Sequence, residues 1–423
     1  MGQRVTIRPG TLRGTVAAMP SKSHIHRALI CMALSPGRSA LRNCAFCEDT
    51  RRTLEGLAAL GFAAAHDYDG GRRLLQISGR PVPPGGVKTV DCGESGSTLR
   101  FLLPLAVAAG LPCRFVGRGR LMDRPLEPYF ELMEKQGVTY FLDGDTLEID
   151  GHWREKTFAI RGDVSSQFLS GLLLALPLIG GGAVKVTTPL QSSGYAEMTI
   201  EAMARHGADV AKQGGVYTLK QGSGYRPVDT AAEGDYSHAA FFLAAGALGG
   251  DVTVTGLPAR SRQGDRVVFR LLAEMGADIR REGDGVRVSG TAVRPFDVDV
   301  TDVPDLMPVL SVLACGAEGK SVIRGAGRLR LKESDRLHAM AEGLERLGAR
   351  VIEGTETLEI WGEGHLHGGA VSAHGDHRIA MALAVAALMA EGPVTLDGAE
   401  TVAKSAPQFW EEFRSLGGYA DVE

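Results

Sequence analysis

Six segments of the chain are apolar nearly all round and rich in alanine and leucine. Each begins with polar or charged residues and ends at a glycine, a residue that commonly stops a helix. Because such a segment has no polar face, it is expected to form a buried helix rather than an amphipathic surface helix. The six segments are PSKSHIHRALICMALSPG (20–37), SGSTLRFLLPLAVAAG (95–110), SSQFLSGLLLALPLIG (165–180), YSHAAFFLAAGALG (236–249), DLMPVLSVLACGAEG (305–319) and DHRIAMALAVAALMAEG (376–392).

These segments recur at a nearly constant interval. Their closing glycines are 69 to 73 residues apart, and each precedes a short run typical of a β-strand, such as AVKVTT (183–188). A second series of helical segments keeps the same interval and carries the apolar stripe of an amphipathic helix. Five of these six precede another alternating run, such as TLEID (146–150), and the sixth ends with the chain. Their terminal glycines are Gly61, Gly137, Gly207, Gly276, Gly348 and Gly417.

The repeating unit is therefore strand, buried helix, strand, amphipathic helix, strand, and it occurs six times. Strands mixed with helices predict an α/β or α+β fold. Helices that are hydrophobic all round predict that the helices pack inside and that the sheets cover them.

The Gly- and Pro-rich stretch 221–235 lies between the third and fourth units and is typical of a domain boundary. We expect two domains of three units each, residues 22–232 and residues 1–21 with 233–423. The cleft between them is the expected ligand site. The N-terminal strand RVTIRP (4–9) can pair with the second half instead of the first.

Composition and charge narrow the class of protein. The 423 residues are 44% hydrophobic and 23% charged, and the net charge is −4. This balance is ordinary for a soluble globular protein and argues against a general nucleic-acid or membrane-surface binder. The opening MGQRVTIRPG lacks the apolar core of a signal peptide. The longest apolar stretch, 168–184, is broken by serine, proline and glycine, so no membrane-spanning helix is expected.

Six scattered cysteines predict reduced thiols in a cytoplasmic protein. Cys44 and Cys47 form a CxxC motif with no second pair and no nearby histidine. We interpret them as structural, with a metal or redox role as the alternative. His24, His26 and His338 show no metal-ligand spacing and are also interpreted as structural.

Cations stand at or beside the start of several helical segments. A cation at a helix N-terminus is unfavourable on its own, because the exposed backbone N–H groups already carry partial positive charge. If the units share one orientation, these ends together suit a small molecule that carries several negative charges, such as a phosphate and a carboxylate. The alternative is a set of ordinary polar helix caps. The cations are Lys22, Arg27, Arg100, Arg124, Lys332, Arg336, Arg378 and Lys404.

Eight motifs follow one another along essentially the whole chain: PSKSHIHR, ESGSTLR, RPLEP, SSQFLSGLL, EGDYSHAAFFLAA, RLKESDRL, GDHRIAMA and VAKSAPQF. Together they resemble the 5-enolpyruvylshikimate-3-phosphate (EPSP) synthase family of enolpyruvyl transferases. The resemblance implies two domains, each of three βαβαββ-type units with buried helices inside and sheets outside, an inside-out α/β barrel. It implies transfer of the enolpyruvyl group of phosphoenolpyruvate to the 5-hydroxyl of shikimate 3-phosphate, with release of phosphate. It further implies a cytoplasmic, monomeric enzyme without a metal or organic cofactor.

The resemblance also implies roles for individual residues. Those expected to bind shikimate 3-phosphate are Lys22, Ser23, Arg27, Ser165, Ser166, Gln167, Ser192, Tyr195, Asp305 and Lys332. Those expected to bind phosphoenolpyruvate are Lys22, Gly96, Arg124, Gln167, Arg336, Arg378 and Lys404. Asp305 is expected to act as the base for the 5-hydroxyl and Glu333 as the acid for the enol carbon. Lys22 and Lys332 are the expected catalytic cations.

The chemistry asks for such a set. Addition removes a proton from a hydroxyl and delivers one to the CH₂ carbon, and elimination reverses both transfers. Two carboxylates beside lysines suit these steps, and several cations suit a phosphate leaving group. Neither Asp305 nor Glu333 has an evident structural partner in the sequence. Their presence favours an enzyme over a binding protein.

Two alternatives are a UDP-N-acetylglucosamine enolpyruvyl transferase and a non-catalytic protein that binds a sugar phosphate between two domains. The first family carries a reactive cysteine in the loop that corresponds to GRGRLMDRP (117–125), which contains none. Departures from the EPSP synthase pattern occur at Pro20, Glu94, Ser95, Ser97, Phe101 and Arg328, whereas Gly96 is kept. They concern substrate affinity and the response to glyphosate, not the class of reaction.

Overall fold

The structure, a computed structural model, describes residues 2–81, 86–290 and 293–423. Within these residues the chain forms twelve α-helices: α1 (Lys22–Ala33), α2 (Glu48–Leu60), α3 (Gly96–Ala108), α4 (Glu127–Gln136), α5 (Ser166–Ala175), α6 (Ser193–Arg205), α7 (Tyr236–Ala247), α8 (Val268–Glu274), α9 (Met307–Cys315), α10 (Arg336–Arg346), α11 (His377–Ala386) and α12 (Phe409–Ser415).

The same described residues form twenty-four strands. The first half of them are β1 (Arg4–Ile7), β2 (Arg13–Ala17), β3 (Gly37–Arg42), β4 (Ala63–Asp69), β5 (Leu74–Gly79), β6 (Lys88–Gly93), β7 (Cys113–Gly117), β8 (Thr139–Asp143), β9 (Thr146–Asp150), β10 (Thr157–Ile160), β11 (Ala183–Val186) and β12 (Val210–Gln213). The others are β13 (Val216–Leu219), β14 (Thr230–Ala231), β15 (Asp251–Thr255), β16 (Asp278–Glu282), β17 (Gly285–Ser289), β18 (Asp297–Asp299), β19 (Gly319–Arg324), β20 (Arg350–Glu353), β21 (Leu358–Gly362), β22 (Gly369–Ser372), β23 (Val394–Asp397) and β24 (Ala420–Val422).

Each repeat builds one four-stranded sheet. In the second repeat, β6 pairs with β7 in parallel, and helix α3 supplies the crossover that parallel strands require. Strand β9 then pairs antiparallel with both β7 and β8. The six sheets have the orders β14-β3-β5-β4, β6-β7-β9-β8, β10-β11-β13-β12, β16-β17-β15-β2, β18-β19-β21-β20 and β22-β23-β1-β24. The unit is therefore βαβαββ, with one strand more than the hydrophobic pattern alone predicts.

Three sheets take a strand from a distant part of the sequence. Strand β2 pairs in parallel with β15 and belongs to the sheet of the fourth repeat. Strand β14 pairs in parallel with β3 and completes the sheet of the first repeat. Strand β1 lies between β23 and β24 and is antiparallel to both. The N-terminal strand RVTIRP thus pairs with the second half of the chain, where the last repeat ends without a strand of its own for this position.

The chain divides into two compact units. One comprises Pro20–Ala232, and the other comprises Met1–Met19 with Glu233–Glu423. Each unit contains three of the six inner helices and has a hydrophobic core of its own.

The inner helices are buried on all sides, as the sequence predicts. Every residue of α7, α9 and α11 is buried. In α5 only Gln167 escapes burial, and in α1 only Lys22 and Ser23 do. In α3 the exceptions are Ser97 and Ala108. Lys22, Ser23 and Gln167 lie at helix N-termini and belong to the predicted substrate-binding residues.

The outer helices bury one face and end at glycine. In α2, Leu54, Leu57 and Leu60 are buried, and the helix stops at Gly61, whose φ of 86° lies in the left-handed region that a Cβ disfavours. Across the part of the chain that the structure describes, no helix is both long enough and apolar enough to cross a membrane.

Candidate active site

The predicted site residues divide between the two compact units, and each set is described on its own. The unit Pro20–Ala232 carries Lys22, Ser23, Arg27, Gly96, Arg124, Ser165, Ser166, Gln167, Ser192 and Tyr195. The other unit carries Asp305, Lys332, Glu333, Arg336, Arg378 and Lys404.

Arg27 is a buried cation on α1. Its guanidinium donates to the hydroxyl of Thr199 at 2.8 Å and to the carbonyls of Ser23 at 2.7 Å and Tyr195 at 2.9 Å. Burial lowers the pKa of Arg27 to about 10. Among the described residues no carboxylate forms an ion pair with it. A buried cation with only neutral partners is a favourable place for a substrate anion.

Lys22 is the first residue of α1, which Ser21 caps by accepting a hydrogen bond from the backbone N–H of His24. The Nζ of Lys22 lies 2.8 Å from Oδ2 of Asp49 on α2, and both side chains are largely buried. Asp49 therefore holds the ammonium group at the N-terminus of α1. The helix dipole and the ammonium group together favour negative charge here.

Arg124 lies against the N-terminus of α3. It belongs to the turn between β7 and α4 and is 8% exposed. A Cβ placed on Gly96 would lie 2.8 Å from its Nη1 and 3.0 Å from its Cζ. The missing side chain of Gly96 thus makes room for the Arg124 guanidinium.

The Gln167 amide is held in one orientation at the N-terminus of α5. Its Oε1 accepts from Nη1 of Arg100 at 2.8 Å, and its Nε2 donates to the hydroxyl of Ser97 at 2.9 Å. Arg100 also donates to the carbonyl of Pro125 at 2.9 Å, next to Arg124. Arg100 and Ser97 therefore orient a predicted substrate ligand.

Three predicted serines stand at the starts of α5 and α6. Ser165 caps α5 by accepting from the backbone N–H of Gln167, and Ser166 is its first residue. Ser192 precedes α6 with a φ of 55°, a left-handed conformation that is uncommon for a residue with a Cβ. Helix α6 packs against both α5 and α1. Such strained positions cluster at functional sites, which fits the predicted phosphate ligand Ser192.

In the other unit, Arg336 gathers three carboxylates at the start of α10. Its side chain is 2% exposed and contacts Asp305 at 2.9 Å, Glu333 at 2.7 Å and Asp376 at 2.7 Å. Arg378 on α11 contacts the second oxygen of Asp305 at 2.9 Å. The expectation that Asp305 and Glu333 lack a structural partner is therefore wrong. The partners are distant in sequence or lie one helical turn away, and only the fold brings them together.

The electrostatics of Asp305 follow from this cluster. Burial alone would raise the pKa of Asp305, but Arg378, Lys332 and Arg336 outweigh it and hold the pKa well below its usual range. Burial likewise opposes the charge of Arg336, and Asp376, Glu333 and Asp305 raise its pKa above its usual value. Asp305 and Arg336 are thus both charged at neutral pH.

The remaining predicted cations lie on elements of the same unit. Lys332 directly follows the 3-10 helix Gly327–Leu331, and Lys404 ends the 3-10 helix Ala399–Lys404. The latter helix packs against α11, which carries Arg378. Lys404 is 5% exposed.

Three residues outside the predicted ligand sets hold predicted ligands in place. Asp49 pairs with Lys22, Arg100 bonds Gln167, and Asp376 pairs with Arg336 while capping α11. Asp49 lies in the first turn of α2, Arg100 is the fifth residue of α3, and Asp376 is the N-cap of α11. The sequence places the two aspartates at helix starts, but it does not show which cation each of them contacts.

The cysteines and histidines have structural surroundings. All six cysteines are buried thiols, and burial raises the pKa of Cys44 to about 12 and that of Cys47 above its usual value. Burial lowers the pKa of His24 to about 4 and that of His26 to about 3, so both rings are neutral. His338 bonds Glu353 at 3.0 Å.

Comparison with solved structures defines the class of protein. The structure matches EPSP synthase from Acinetobacter baumannii with a TM-score of 0.81 and 26% identity over 100% of both chains. It also matches the enolpyruvyl transferase NikO from Streptomyces tendae with a TM-score of 0.78 and 21% identity, over 100% of this chain and 99% of the other. The chain has the fold of the enolpyruvyl transferases, two three-unit assemblies with helices inside and sheets outside.

Sequence comparison identifies the family within this class. A profile described as EPSP synthase (3-phosphoshikimate 1-carboxyvinyltransferase) matches residues 7–413. The 3-phosphoshikimate 1-carboxyvinyltransferase of Clostridium kluyveri is 42% identical over 99% of this chain and 98% of its own. That of Clostridioides difficile is 39% identical over 98% of both. The chain belongs to the EPSP synthase family, which decides against the UDP-N-acetylglucosamine enolpyruvyl transferase and the non-catalytic binding protein.

Proposed function

We propose that both residue sets serve one reaction, the transfer of the enolpyruvyl group of phosphoenolpyruvate to the 5-hydroxyl of shikimate 3-phosphate. As a member of its family, the chain is a 3-phosphoshikimate 1-carboxyvinyltransferase and releases inorganic phosphate. The observation that carries the residue roles is the buried cluster in which Arg336 holds Asp305 and Glu333. Cations alone would only bind an anion, whereas this cluster also offers groups that exchange protons.

Shikimate 3-phosphate is assigned mainly to the helix starts of the unit Pro20–Ala232. Arg27 supports this assignment, because it is a buried cation hydrogen-bonded to neutral groups. The N-termini of α1, α5 and α6 add backbone N–H groups and dipoles that favour a phosphate. The proposed ligands are Lys22, Ser23, Arg27, Ser165, Ser166, Gln167, Ser192 and Tyr195, with Asp305 and Lys332 from the other unit.

Phosphoenolpyruvate is assigned to cations of both units. Gly96 supports this assignment, since it admits the Arg124 guanidinium to the N-terminus of α3. A planar guanidinium binds a carboxylate or phosphate through two parallel hydrogen bonds, which fits both anionic groups of this substrate. The proposed ligands are Lys22, Gly96, Arg124, Gln167, Arg336, Arg378 and Lys404.

The arginines that hold Asp305 are the same ones that we assign to phosphoenolpyruvate. In the structure, Arg336 and Arg378 contact both oxygens of Asp305 and make it a weak base. The negative charge of phosphoenolpyruvate would offset these cations, so the pKa of Asp305 would rise on binding. Substrate binding thereby prepares Asp305 to accept the proton of the 5-hydroxyl.

The two carboxylates then divide the proton transfers. In the addition, Asp305 takes the hydroxyl proton, the oxygen bonds to C2 of phosphoenolpyruvate, and Glu333 gives a proton to the CH₂ carbon. In the elimination, Glu333 takes a proton back from the resulting methyl group, the C2–O bond to phosphate breaks, the double bond returns, and Asp305 gives its proton to the departing phosphate. Lys22 and Lys332 stabilise the negative charge that moves to the phosphate.

We further propose that the chain works as a monomer in the cytoplasm, with these two small molecules as its partners and without nucleic acid or membrane. The six buried thiols suit a reducing compartment, and a net charge of −4 gives no general attraction to nucleic acid. We also propose that the predicted domains, 22–232 and 1–21 with 233–423, correspond to the two compact units, which differ from them only in the placement of Pro20 and Ser21.

A phosphate-release assay tests the function. Purified protein given phosphoenolpyruvate and shikimate 3-phosphate should release inorganic phosphate without added metal or nucleotide. Either substrate alone should release almost none, because phosphate departs only after the hydroxyl has added. Unphosphorylated shikimate should be a poor substrate, since the binding energy of its phosphate is missing.

UDP-N-acetylglucosamine in place of shikimate 3-phosphate is the control for substrate identity. Phosphate release with the nucleotide sugar and not with shikimate 3-phosphate would contradict the proposal. No release with either acceptor would favour a protein that only binds.

A further inference from the structure

Asp265 is a buried carboxyl that the proposed mechanism does not use. It lies in the 3-10 helix Gly264–Val267, which leads into α8, and is 2% exposed. Its Oδ2 accepts a hydrogen bond from the hydroxyl of Ser237. Its Oδ1 is buried and has no hydrogen-bond partner among the described residues. A buried ionised carboxylate normally has its oxygens well satisfied, so this arrangement favours the protonated form.

The same carboxyl adjoins the cluster around Asp305. Helix α7, which carries Ser237, packs against the 3-10 helices of Asp265 and Asp305 and against α9 and α11. A Cβ placed on Gly264 would lie 3.6 Å from the carbonyl oxygen of Asp302, just before Asp305. The 3-10 helix Gly264–Val267 therefore packs directly against the segment that leads to Asp305, the proposed base.

Three charged groups act on Asp265 from the elements around it. They are Asp305 before α9, Arg378 on α11 and Asp235 at the cap of α7. Burial and then repulsion by Asp305 raise the pKa of Asp265 to about 7, against the attraction of Arg378 and the hydrogen bond from Ser237. The carboxyl can thus change its charge near neutral pH.

We propose that Asp265 is a positioning residue whose protonation sets the charge around Asp305 and Arg378. This inference rests on the proposed roles of Asp305 as the base and Arg378 as a phosphoenolpyruvate ligand. When Asp265 is neutral, it does not compete with Asp305 and the substrate for electrostatic attraction to Arg378. An ionised Asp265 adds a second buried negative charge, which opposes the binding of anionic phosphoenolpyruvate and increases the proton affinity of Asp305.

The test compares the pH profiles of wild type, Asp265→Asn and Ser237→Ala. The KM for phosphoenolpyruvate and kcat are measured by phosphate release between pH 5.5 and 9 at saturating shikimate 3-phosphate. From pH 6 to pH 8.5 the wild-type KM should rise about 3- to 10-fold relative to that of Asp265→Asn. In Ser237→Ala the rise should move to higher pH, because the carboxylate loses a hydrogen bond that stabilises its charge.

Two features isolate the titration of Asp265. Ionisation of the substrates is common to all variants and cancels in the ratio of their KM values. Asp251→Asn is the matched control. Asp251 lies on β15 of the same compact unit, and its carboxylate pairs with Arg287 of β17 at 2.6 Å. This variant should reproduce the wild-type pH profile.

Thermal unfolding gives a second readout that needs no substrate. An aspartate whose pKa is higher in the folded than in the unfolded protein stabilises the fold fully below about pH 4, and this contribution is lost as the pH rises through about 7. Asp265→Asn lacks this titration. Its Tm relative to wild type should therefore increase between pH 4 and pH 7 and then stay level.

Each outcome decides the proposal. A KM ratio and a Tm difference that do not change with pH would show a purely structural role and overturn it. If Asp265→Asn does not fold, Ser237→Ala decides, and an unshifted profile overturns the proposal. Absence of phosphate release by wild type would instead contradict the proposed function, and the unfolding data would still establish whether Asp265 titrates.

Discussion

Arg336 has both a structural role and a proposed substrate-binding role. Arg336 contacts Asp305, Glu333 and Asp376, and it is also assigned to a substrate. A buried guanidinium without charged partners would carry a large desolvation penalty, and the contacts of Arg336 with these carboxylates offset that penalty. The carboxylates thus keep the cation in position until an anionic substrate takes over part of its charge.

Replacing either proposed proton carrier should separate catalysis from binding. We expect Asp305→Asn and Glu333→Gln to lose about 10²- to 10⁴-fold in kcat, because each amide can accept a hydrogen bond but cannot exchange the proton. Because both carboxylates pair with Arg336, we also expect each variant to lose about 1–3 kcal/mol in the free energy of unfolding. Steady-state kinetics and urea unfolding measure the two effects.

The control for these variants is Asp297→Asn. Asp297 pairs with Arg324 at 2.7 Å, but both side chains are more than half exposed. This change should leave kcat unaltered and alter stability by less than about 1 kcal/mol. Near-normal kcat in both Asp305→Asn and Glu333→Gln would remove these carboxylates from the mechanism.

The close approach of Arg124 to Gly96 leads to a second prediction, which concerns phosphoenolpyruvate binding. A methyl group at Gly96 would lie 2.8 Å from the Arg124 guanidinium, which must then move. We expect Gly96→Ala to raise the KM for phosphoenolpyruvate about 10-fold or more, since small displacements of a binding group are costly. The Kd of shikimate 3-phosphate should stay within about 2-fold, because its proposed ligands lie on other helices.

Gly224→Ala is the matched control for this prediction. It lies in the same compact unit, has nothing within 4 Å of an added Cβ and does not adopt a positive φ. Its KM values should equal those of wild type. An unchanged KM for phosphoenolpyruvate in Gly96→Ala would mean that Arg124 is not a ligand of this substrate.

At the scale of helices, the caps fix where the site residues stand. The inner helices α1, α3, α5, α7 and α11 each begin with a serine or aspartate whose side chain accepts a backbone N–H of the first turn. Such a cap defines the first helical residue and so the direction of the side chains beside it. Lys22, Gly96 and Arg378 all lie within two residues of such a cap.

The cap of α10 allows a test at this scale. Asp335 accepts the backbone N–H of His338 at 3.0 Å and precedes Arg336. We expect Asp335→Ala to lower the free energy of unfolding by about 1–2 kcal/mol and to raise the KM for phosphoenolpyruvate, because the first turn carries Arg336. Asp335→Asn keeps the cap and loses only the pair with Arg330, so it should lose less than half as much. Equal losses in both variants would assign the effect to the ion pair.

The sequence predicts the repeats and the inner helices but misses one strand in each repeat. The missed strands, such as β4 and β8, follow the outer helices and lie at the edges of their sheets. Their residues are almost all partly or fully exposed, so they lack the alternation of buried and exposed positions that marks a strand. The sequence pattern also fails to predict strand β14, because it has only two residues and lies within a Gly- and Pro-rich stretch.

The site shows the same division. Cations at helix starts are visible in the sequence, because the pattern of caps and apolar runs locates each helix. The contacts of Asp305 with Arg336 and Arg378 span 31 and 73 residues, and no local pattern encodes them. Asp265 carries no signal of its own either, since its role depends on Ser237 and on burial.

At the scale of the molecule, each compact unit contains its own core and its own part of the proposed site. A chain of 423 residues exceeds the size at which a single core is stable, which is consistent with two cores. The residue roles nevertheless assign phosphoenolpyruvate to cations of both units. Substitutions in the two units should therefore affect kcat/KM in a coupled way, although they affect the free energy of unfolding independently.

A double-mutant cycle tests this coupling. Arg124→Met and Lys404→Met each remove a cation, one from each unit, and keep an unbranched apolar chain at a buried position. Their effects on unfolding free energy should add within about 0.5 kcal/mol, because the residues belong to different cores. Their effects on kcat/KM for phosphoenolpyruvate should depart from additivity by about 0.5–3 kcal/mol, because one ligand feels both charges. Arg124→Met combined with Arg324→Met, at a surface pair of the other unit, should be additive in both measures. Additive kcat/KM values for Arg124→Met with Lys404→Met would show that the two residue sets do not share this substrate.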